Sequence, residues 1–213
     1  MTMNAARRPK VFCIGFQKTG TTSLYGALTT LGYRTAAVVG RDLSASQLQD
    51  RGAALCIETM ADYDAAQDMP WPLFFRQLDA AFPGSKFILT VREPESWYRS
   101  IDAHFGAEPT AMGAFTYGDD AAAPTGARDR YIATYTAHNE TVRSYFADRP
   151  HDFLEMDLAR GDGWAALCGF LECDLPTAPF PVRNRREDRA TLWYRLRRRL
   201  YLLFGHRIQP EEV

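Results

Sequence analysis

The sequence predicts an α/β protein: three layers, α/β/α, around a central parallel sheet of about five strands. Three observations predict it. Short, continuous apolar runs such as VFCIGF and KFILTV have the character of strands buried on both faces, as parallel strands are. Segments with apolar residues at helical spacing separate these runs, and such alternation lays helices over both faces of one sheet. A glycine-rich stretch, GFQKTGTTS (15–23), joins the first run to the first helix.

In chain order, Val11 to Phe16 is the first strand. TTSLYGALTTLGY is the first helix, with Leu24, Leu28 and Leu31 at helical spacing and Gly32 as its stop. Tyr33 to Val39 reads as the second strand, SASQLQDRG as a helix, and Ala53 to Ile57 as the third strand. After the acidic stretch ETMADYDAAQDMP, WPLFFRQLDAAFPG reads as a helix closed by Pro83 and Gly84. Lys86 to Val91 is the clearest strand, and Pro94, suited to a first turn, opens a helix reaching Phe105. The stretch from Gly106 to Gly126, rich in Gly, Ala, Pro and Thr, shows no firm period and is expected to be a mobile loop or lid. ARDRYIATYTAHNETVRSYFADRP is a long helix with Tyr131, Tyr135, His138, Val142, Tyr145 and Phe146 near one face. DFLEMD is a fifth strand and GWAALCGFLE a helix; a proline-punctuated loop then precedes a basic amphipathic helix over 189–204. One domain is expected over 1–213, with residues 1–9 a flexible lead.

The 213 residues carry a formal net charge of -1, which gives no global attraction to nucleic acid, so any anion site is local. Cys13, Cys56, Cys168 and Cys173 lack metal-ligand spacing, and three of them sit in apolar runs as reduced, structural thiols. His104, His138, His151 and His206 likewise show no ligand spacing and receive no role. With no segment near 18 uninterrupted apolar residues and no signal-peptide pattern, a soluble, cytoplasmic protein is expected.

The chemistry lies in GFQKTGTTS. Gly15 and Gly20 have P-loop spacing, and a glycine loop leading into a helix aims backbone N–H groups and the positive end of the helix dipole at one anion. The fold is therefore expected to be P-loop-containing. A nucleotide P-loop, however, places lysine after the second glycine; here the lysine is Lys18, inside the loop. Thr19, Thr21, Thr22 and Ser23 add hydroxyl donors, and no residue is placed to demand magnesium. A turn with a polar helix cap is the plainer alternative.

The loop resembles the 5′-phosphosulfate-binding loop of the sulfotransferases, which use 3′-phosphoadenosine 5′-phosphosulfate (PAPS). Lys18, Thr19, Gly20, Thr21 and Thr22 match its K-T-G-T-T, with Gln17 and Ser23 flanking. The strand KFILTV ends in VREPESWYRS, and the family's 3′-phosphate site pairs an arginine with a serine eight positions later, the spacing of Arg92 and Ser100. An arginine fork and a helical serine can donate to the same phosphate oxygens. FPGSKFILTVREPESWYRS and MDLARGDGWAALCGFLECDLPTAPFPVRN are similar to a bacterial and eukaryotic branch sometimes labelled epimerase-like. The likeness covers Val11 to Asn184.

The resemblance implies PAPS as donor and PAP (3′,5′-adenosine bisphosphate) as product, no metal, and Lys18 at the bridging oxygen. Cytosolic members of the family use a histidine near a proline after the third strand as base; the corresponding place here is Asp68 in DMP. Glu58, Asp62 and Asp64 compete with it, as does a merely solvated acidic loop. The loop before the last helix is implied to close over the 3′-phosphate, which nominates Arg183, Asn184, Arg185 and Arg186, with a solvated basic loop the alternative. Trp97 and Tyr98 are read as packing residues. The tail helix, with Leu, Trp, Tyr and Phe among arginines, is a candidate for peripheral membrane contact, or docks on its own domain. The expected activity is sulfuryl transfer to a hydroxyl or amine of a small or lipid-like acceptor. The alternatives are an ATP/Mg-dependent small-molecule kinase and a non-catalytic membrane-associated module.

Overall fold

The computed structural model describes residues 8–181; residues 1–7, the tail helix over 189–204 and the candidate phosphate donors Arg183, Asn184, Arg185 and Arg186 lie outside them. The chain divides after Phe180 into two compact units, and of the second only Pro181 is among the described residues.

The described chain runs β1 (Val11–Cys13), α1 (Thr21–Thr30), β2 (Thr35–Ala36), α2 (Ala45–Thr59), β3 (Ala65–Ala66), a 3-10 turn (Trp71–Phe74) and α3 (Phe75–Ala81). It continues through β4 (Lys86–Thr90), α4 (Pro94–Phe105), α5 (Ala111–Tyr117), a second 3-10 turn (Asp119–Ala121), α6 (Arg128–Tyr145), β5 (Phe153–Met156) and α7 (Trp164–Leu171). The five strands form one sheet in the order β2-β3-β1-β4-β5, every pair parallel. The α/β/α architecture is as the sequence predicts.

Period-two alternation assigns the layers. Phe12, Ile14, Phe87 and Leu89 point to one face, where Cys56, Trp71, Phe74, Phe75, Val142 and Phe146 from α2, α3, α6 and the turn between meet them. Val11, Cys13 and Ile88 point to the other, against Leu24, Ala27 and Leu28 of α1 and Leu167 and Leu171 of α7. A third cluster, rich in aromatic rings, sits on Phe16 beyond β1 and gathers Met69, Trp97, Ile101, Tyr117, Tyr131 and Tyr135.

Three expectations are corrected. Ala53 to Ile57 is helical, not a strand. Ser44 starts α2 with a reciprocal capping box with Gln47, and Leu48, Gly52 and Cys56 form one buried face at four-residue spacing. Gly52 lies inside the helix as a packing contact: a Cβ there would lie 2.5 Å from the ring of Phe74. The third strand is instead Ala65–Ala66, inside the stretch read as an acidic loop; hydrogen-bonded to β1 and β2, it is two small residues between aspartates, too short to show a period. The 106–126 segment, expected to lack regular structure, holds α5 and a 3-10 turn. Thr110 caps α5 by accepting from the Gly113 N–H at 2.9 Å, and Tyr117 and Ala121 are buried in the aromatic cluster.

Candidate active site

The glycine loop leaves β1 between β3 and β4 at the carboxyl edge of the sheet, where doubly wound sheets bind ligands. Its shape is set by close backbone approach. At Gly15 a Cβ would lie 2.1 Å from Thr90 Oγ1, 2.4 Å from its carbonyl oxygen and 2.6 Å from its nitrogen, so only glycine lets the loop pass the end of β4. Lys18 and Gly20 adopt left-handed backbone, with φ 71° and 111°. Gly20 is the N-cap of α1 and supplies no capping side chain, and the first turn carries no acid. The N–H groups of a helix's first turn point out of its end, which leaves this one suited to an anion.

The hydroxyls divide. Thr19 Oγ1 is committed to the loop itself, 2.6 Å from the Phe16 carbonyl and 2.6 Å from Thr90 Oγ1; its remaining offer to a ligand is its backbone N–H. Thr21 and Ser23 are buried and Thr22 is exposed. The Gln17 side-chain oxygen is buried, and its carbonyl accepts from Trp97 Nε1 at 2.9 Å. Trp97 is fully buried, so the packing role read from the sequence holds.

Arg92 follows β4, where Val91 N–H donates to the Met156 carbonyl at 2.8 Å and Glu93 caps α4 by accepting from the Glu95 and Ser96 N–H groups. The Arg92 guanidinium reaches back to the glycine loop: Nη1 donates to the Lys18 carbonyl at 3.4 Å and Nε to Ser96 Oγ at 3.0 Å. The serine beside Arg92 is thus Ser96, four positions on, which the sequence reading missed although four residues is one helical turn. Ser100 lies a turn further along α4 and is half-buried.

Asp68 lies two residues beyond β3 in left-handed backbone, φ 74°, its Oδ1 accepting the Met69 N–H at 2.9 Å. Burial pushes its carboxyl up from the ordinary 3.8; that hydrogen bond and the charges of Arg41 and Lys18 pull the other way without cancelling it. Lys18 and Asp68 thus follow neighbouring strands at one edge of the sheet, each within electrostatic reach of the other. The competing acids lie at the opposite edge. Glu58 ends α2, and Asp62 and Asp64 precede β3. Glu58 and Asp62 are exposed, while Asp64 pairs with Arg34 at 3.3 Å; burial works to raise its carboxyl, but the hydrogen bonds and charge of Arg34 hold it below the ordinary range.

His138, given no role from the sequence, supports the loop from beneath. Its Nε2 lies 2.8 Å from the Ile14 carbonyl, and since a carbonyl only accepts, that nitrogen carries the proton. The ring stacks on Phe16 at 4.4 Å, and burial lowers its pKa from 6.5 to about 4, so it is neutral at physiological pH.

Among the described residues no group of three or more His, Cys, Asp or Glu side chains could hold a metal ion, and no helix is long and apolar enough to cross a membrane. Cys13, Cys56 and Cys168 are buried as the sequence suggests, and Cys173 is exposed.

Comparison with known proteins identifies the family. The chain is 28% identical over 232 residues to "Ava biosynthesis cluster protein M" of Aspergillus versicolor, an alignment covering 88% of this chain and 87% of that one. A family model described as Sulfotransferase domain matches residues 10–189. A match over most of the chain, on a sheet that carries the glycine loop and Arg92 at one edge, places this protein in the sulfotransferase family.

Proposed function

We propose that this protein transfers a sulfuryl group from PAPS to a hydroxyl or amine of a small or lipid-like acceptor, by in-line displacement with Lys18 and Asp68 as the catalytic residues. The observation that carries the reading is the convergence of three groups at one sheet edge: the uncapped start of α1, Lys18 and Asp68, with Arg92 tied to the same loop through the Lys18 carbonyl.

The residues present fit a nucleotide with phosphate groups at both ends. The loop offers donors and a cation, with no acid in the first turn of α1, and Arg92 supplies a planar fork that reaches the Lys18 carbonyl of the loop. When bound, PAPS supplies a sulfuryl group held through an oxygen to a phosphate. The chain's residues do the remainder. The α1 N-terminus and the N–H groups of Thr19, Gly20, Thr21 and Thr22 hold the 5′ end, with Ser23 flanking; Arg92 and Ser100 hold the 3′-phosphate. Lys18 neutralises the charge that builds on the departing phosphate oxygen as its bond to sulfur breaks. Asp68 takes the proton released as the acceptor's oxygen or nitrogen bonds to sulfur, a task favoured by a carboxyl that burial makes a stronger base than an exposed one. The cation inside the loop, where a nucleotide P-loop would pair lysine with a magnesium-binding hydroxyl, favours this over an ATP/Mg kinase.

The test is transfer of labelled sulfate from PAPS to small-molecule and lipid extracts, comparing wild type with Lys18→Ala. Labelled product from wild type alone supports the reading. Equal labelling by the variant removes Lys18 from the mechanism, and stabilisation by Mg-ATP but not by PAP in a thermal-shift assay overturns the donor.

A further inference from the structure

We propose that Trp97 and Tyr135 form a positioning pair that fixes the separation between the two anion-binding halves of the donor site. The proposal rests on the donor reading above and adds what sets that site's geometry. The two rings stack at a centroid distance of 4.2 Å, 10° from parallel, and are 0% and 1% exposed. Each carries a polar atom to a different half. Trp97 Nε1 donates to the carbonyl of Gln17, the residue before Lys18, at 2.9 Å. The Tyr135 hydroxyl accepts from the Arg92 N–H and donates to the Arg92 carbonyl, both at 2.9 Å.

A tyrosine hydroxyl that spends both its donor and its acceptor on one residue's backbone fixes that residue's orientation, and so the direction in which its side chain leaves the strand. Packing alone does not require the hydroxyl, since phenylalanine would fill the same buried volume. Both rings have only two rotatable bonds and lie in the aromatic core with Phe16, Tyr117 and Tyr131. Separating the halves therefore means breaking a buried hydrogen bond or sliding a close-packed stack. The 3.4 Å contact from Arg92 Nη1 to the Lys18 carbonyl closes the circuit on the ligand side. A ligand that bridges the halves senses their separation, whereas one held by the glycine loop alone does not.

The experiment is calorimetric titration of the full-length protein with PAP, which carries 3′- and 5′-phosphates, and with AMP, which carries only the 5′-phosphate. Wild type is expected to bind PAP more tightly. Tyr135→Phe keeps the ring and loses both hydrogen bonds, and lowers the PAP:AMP affinity ratio by roughly 5- to 10-fold, the scale of one buried hydrogen bond. Trp97→Phe lowers the ratio by a similar factor, and the double variant lowers it no further, because either cut releases the same constraint. Binding stoichiometry reports the folded fraction, so partial unfolding does not enter the ratio, and Tyr131→Phe controls for loss of a neighbouring hydroxyl. An unchanged ratio in Tyr135→Phe, or effects that multiply in the double variant, overturns the pair. Absence of a PAP preference in wild type overturns the donor reading itself.

Discussion

Replacing Gly15 with alanine tests whether close passage of the loop past β4 shapes the site. The new Cβ would meet Thr90 at three atoms, at 2.1, 2.4 and 2.6 Å, two of them backbone. Backbone cannot swing aside as a side-chain tip does, so the loop must lift from β4. That strains the Ile14 N–H bond to the Ile88 carbonyl, 2.8 Å, and the Thr19–Thr90 hydroxyl contact, 2.6 Å. Overpacking of this kind costs about 1–3 kcal/mol and a weakened hydrogen bond about 1 kcal/mol more, for a total of roughly 2–4 kcal/mol. In a chain of this length the midpoint of thermal unfolding falls by roughly 5–15 °C. The comparison is Gly84→Ala, at φ +80° with nothing within 4 Å of the new Cβ, where backbone strain alone costs about 1–2 kcal/mol. Differential scanning calorimetry of both variants, with PAP titrated into each, checks the reasoning. Gly15→Ala is expected to lose more stability and to weaken PAP binding, Gly84→Ala to leave binding intact. A Gly15→Ala protein that melts within a degree of wild type and binds PAP normally would refute it.

Asp68→Asn is expected to lower kcat/KM by about 10²–10⁴-fold, the usual contribution of a general base. It is also expected to raise the melting temperature at neutral pH. A carboxyl whose pKa is raised by folding holds its proton more tightly in the folded chain, so stability is greatest below 3.8 and falls as pH climbs toward the raised value, a loss the amide avoids. Activity lost together with stability would contradict this. For His138 the sign reverses: its folded pKa of about 4 lies below 6.5, so its contribution is complete above pH 6.5 and is lost as pH falls toward 4. Urea midpoints of wild type should therefore drop more steeply over that window than those of His138→Gln, and parallel curves would disprove the assignment. Ser96→Ala, which removes the partner of Arg92 Nε, should weaken PAP binding two- to fivefold, a fraction of one hydrogen bond. Ser100→Ala should weaken it more if its hydroxyl meets the phosphate directly, as isothermal titration would show.

The sequence made the frame legible where burial on two faces leaves an apolar run. β1 and β4 lie at the centre of the sheet, and their runs VFC and KFILT stand out because every residue but Lys86 is buried. β3 is as central, yet Ala65 and Ala66 fill their space with methyl groups, and two alanines between aspartates carry no signal. A glycine that admits the Phe74 ring, as Gly52 does, looks in sequence like one that ends a helix, so the apolar run after it gave no sign of continuing α2. In α5 the short apolar run AMGAFTY is diluted by Gly113, whose missing side chain admits the Ala122 carbonyl. At the candidate site, glycine spacing pointed to the loop, and the family resemblance pointed to Arg92. The long-range contacts did not show: His138 meets Ile14 across 124 residues of chain, and Tyr135 meets Arg92 across 43.

If the proposed activity is right, the loop before α1 grips the 5′ end of a bisphosphorylated nucleotide while Arg92 binds its ribose phosphate. A crystal structure with PAP bound tests it most directly. The 5′-phosphate is expected on the N–H groups from Lys18 to Thr22, and the 3′-phosphate within hydrogen-bonding distance of the Arg92 guanidinium. A nucleotide seated elsewhere, with Arg92 still turned to the Lys18 carbonyl and Ser96, would contradict it.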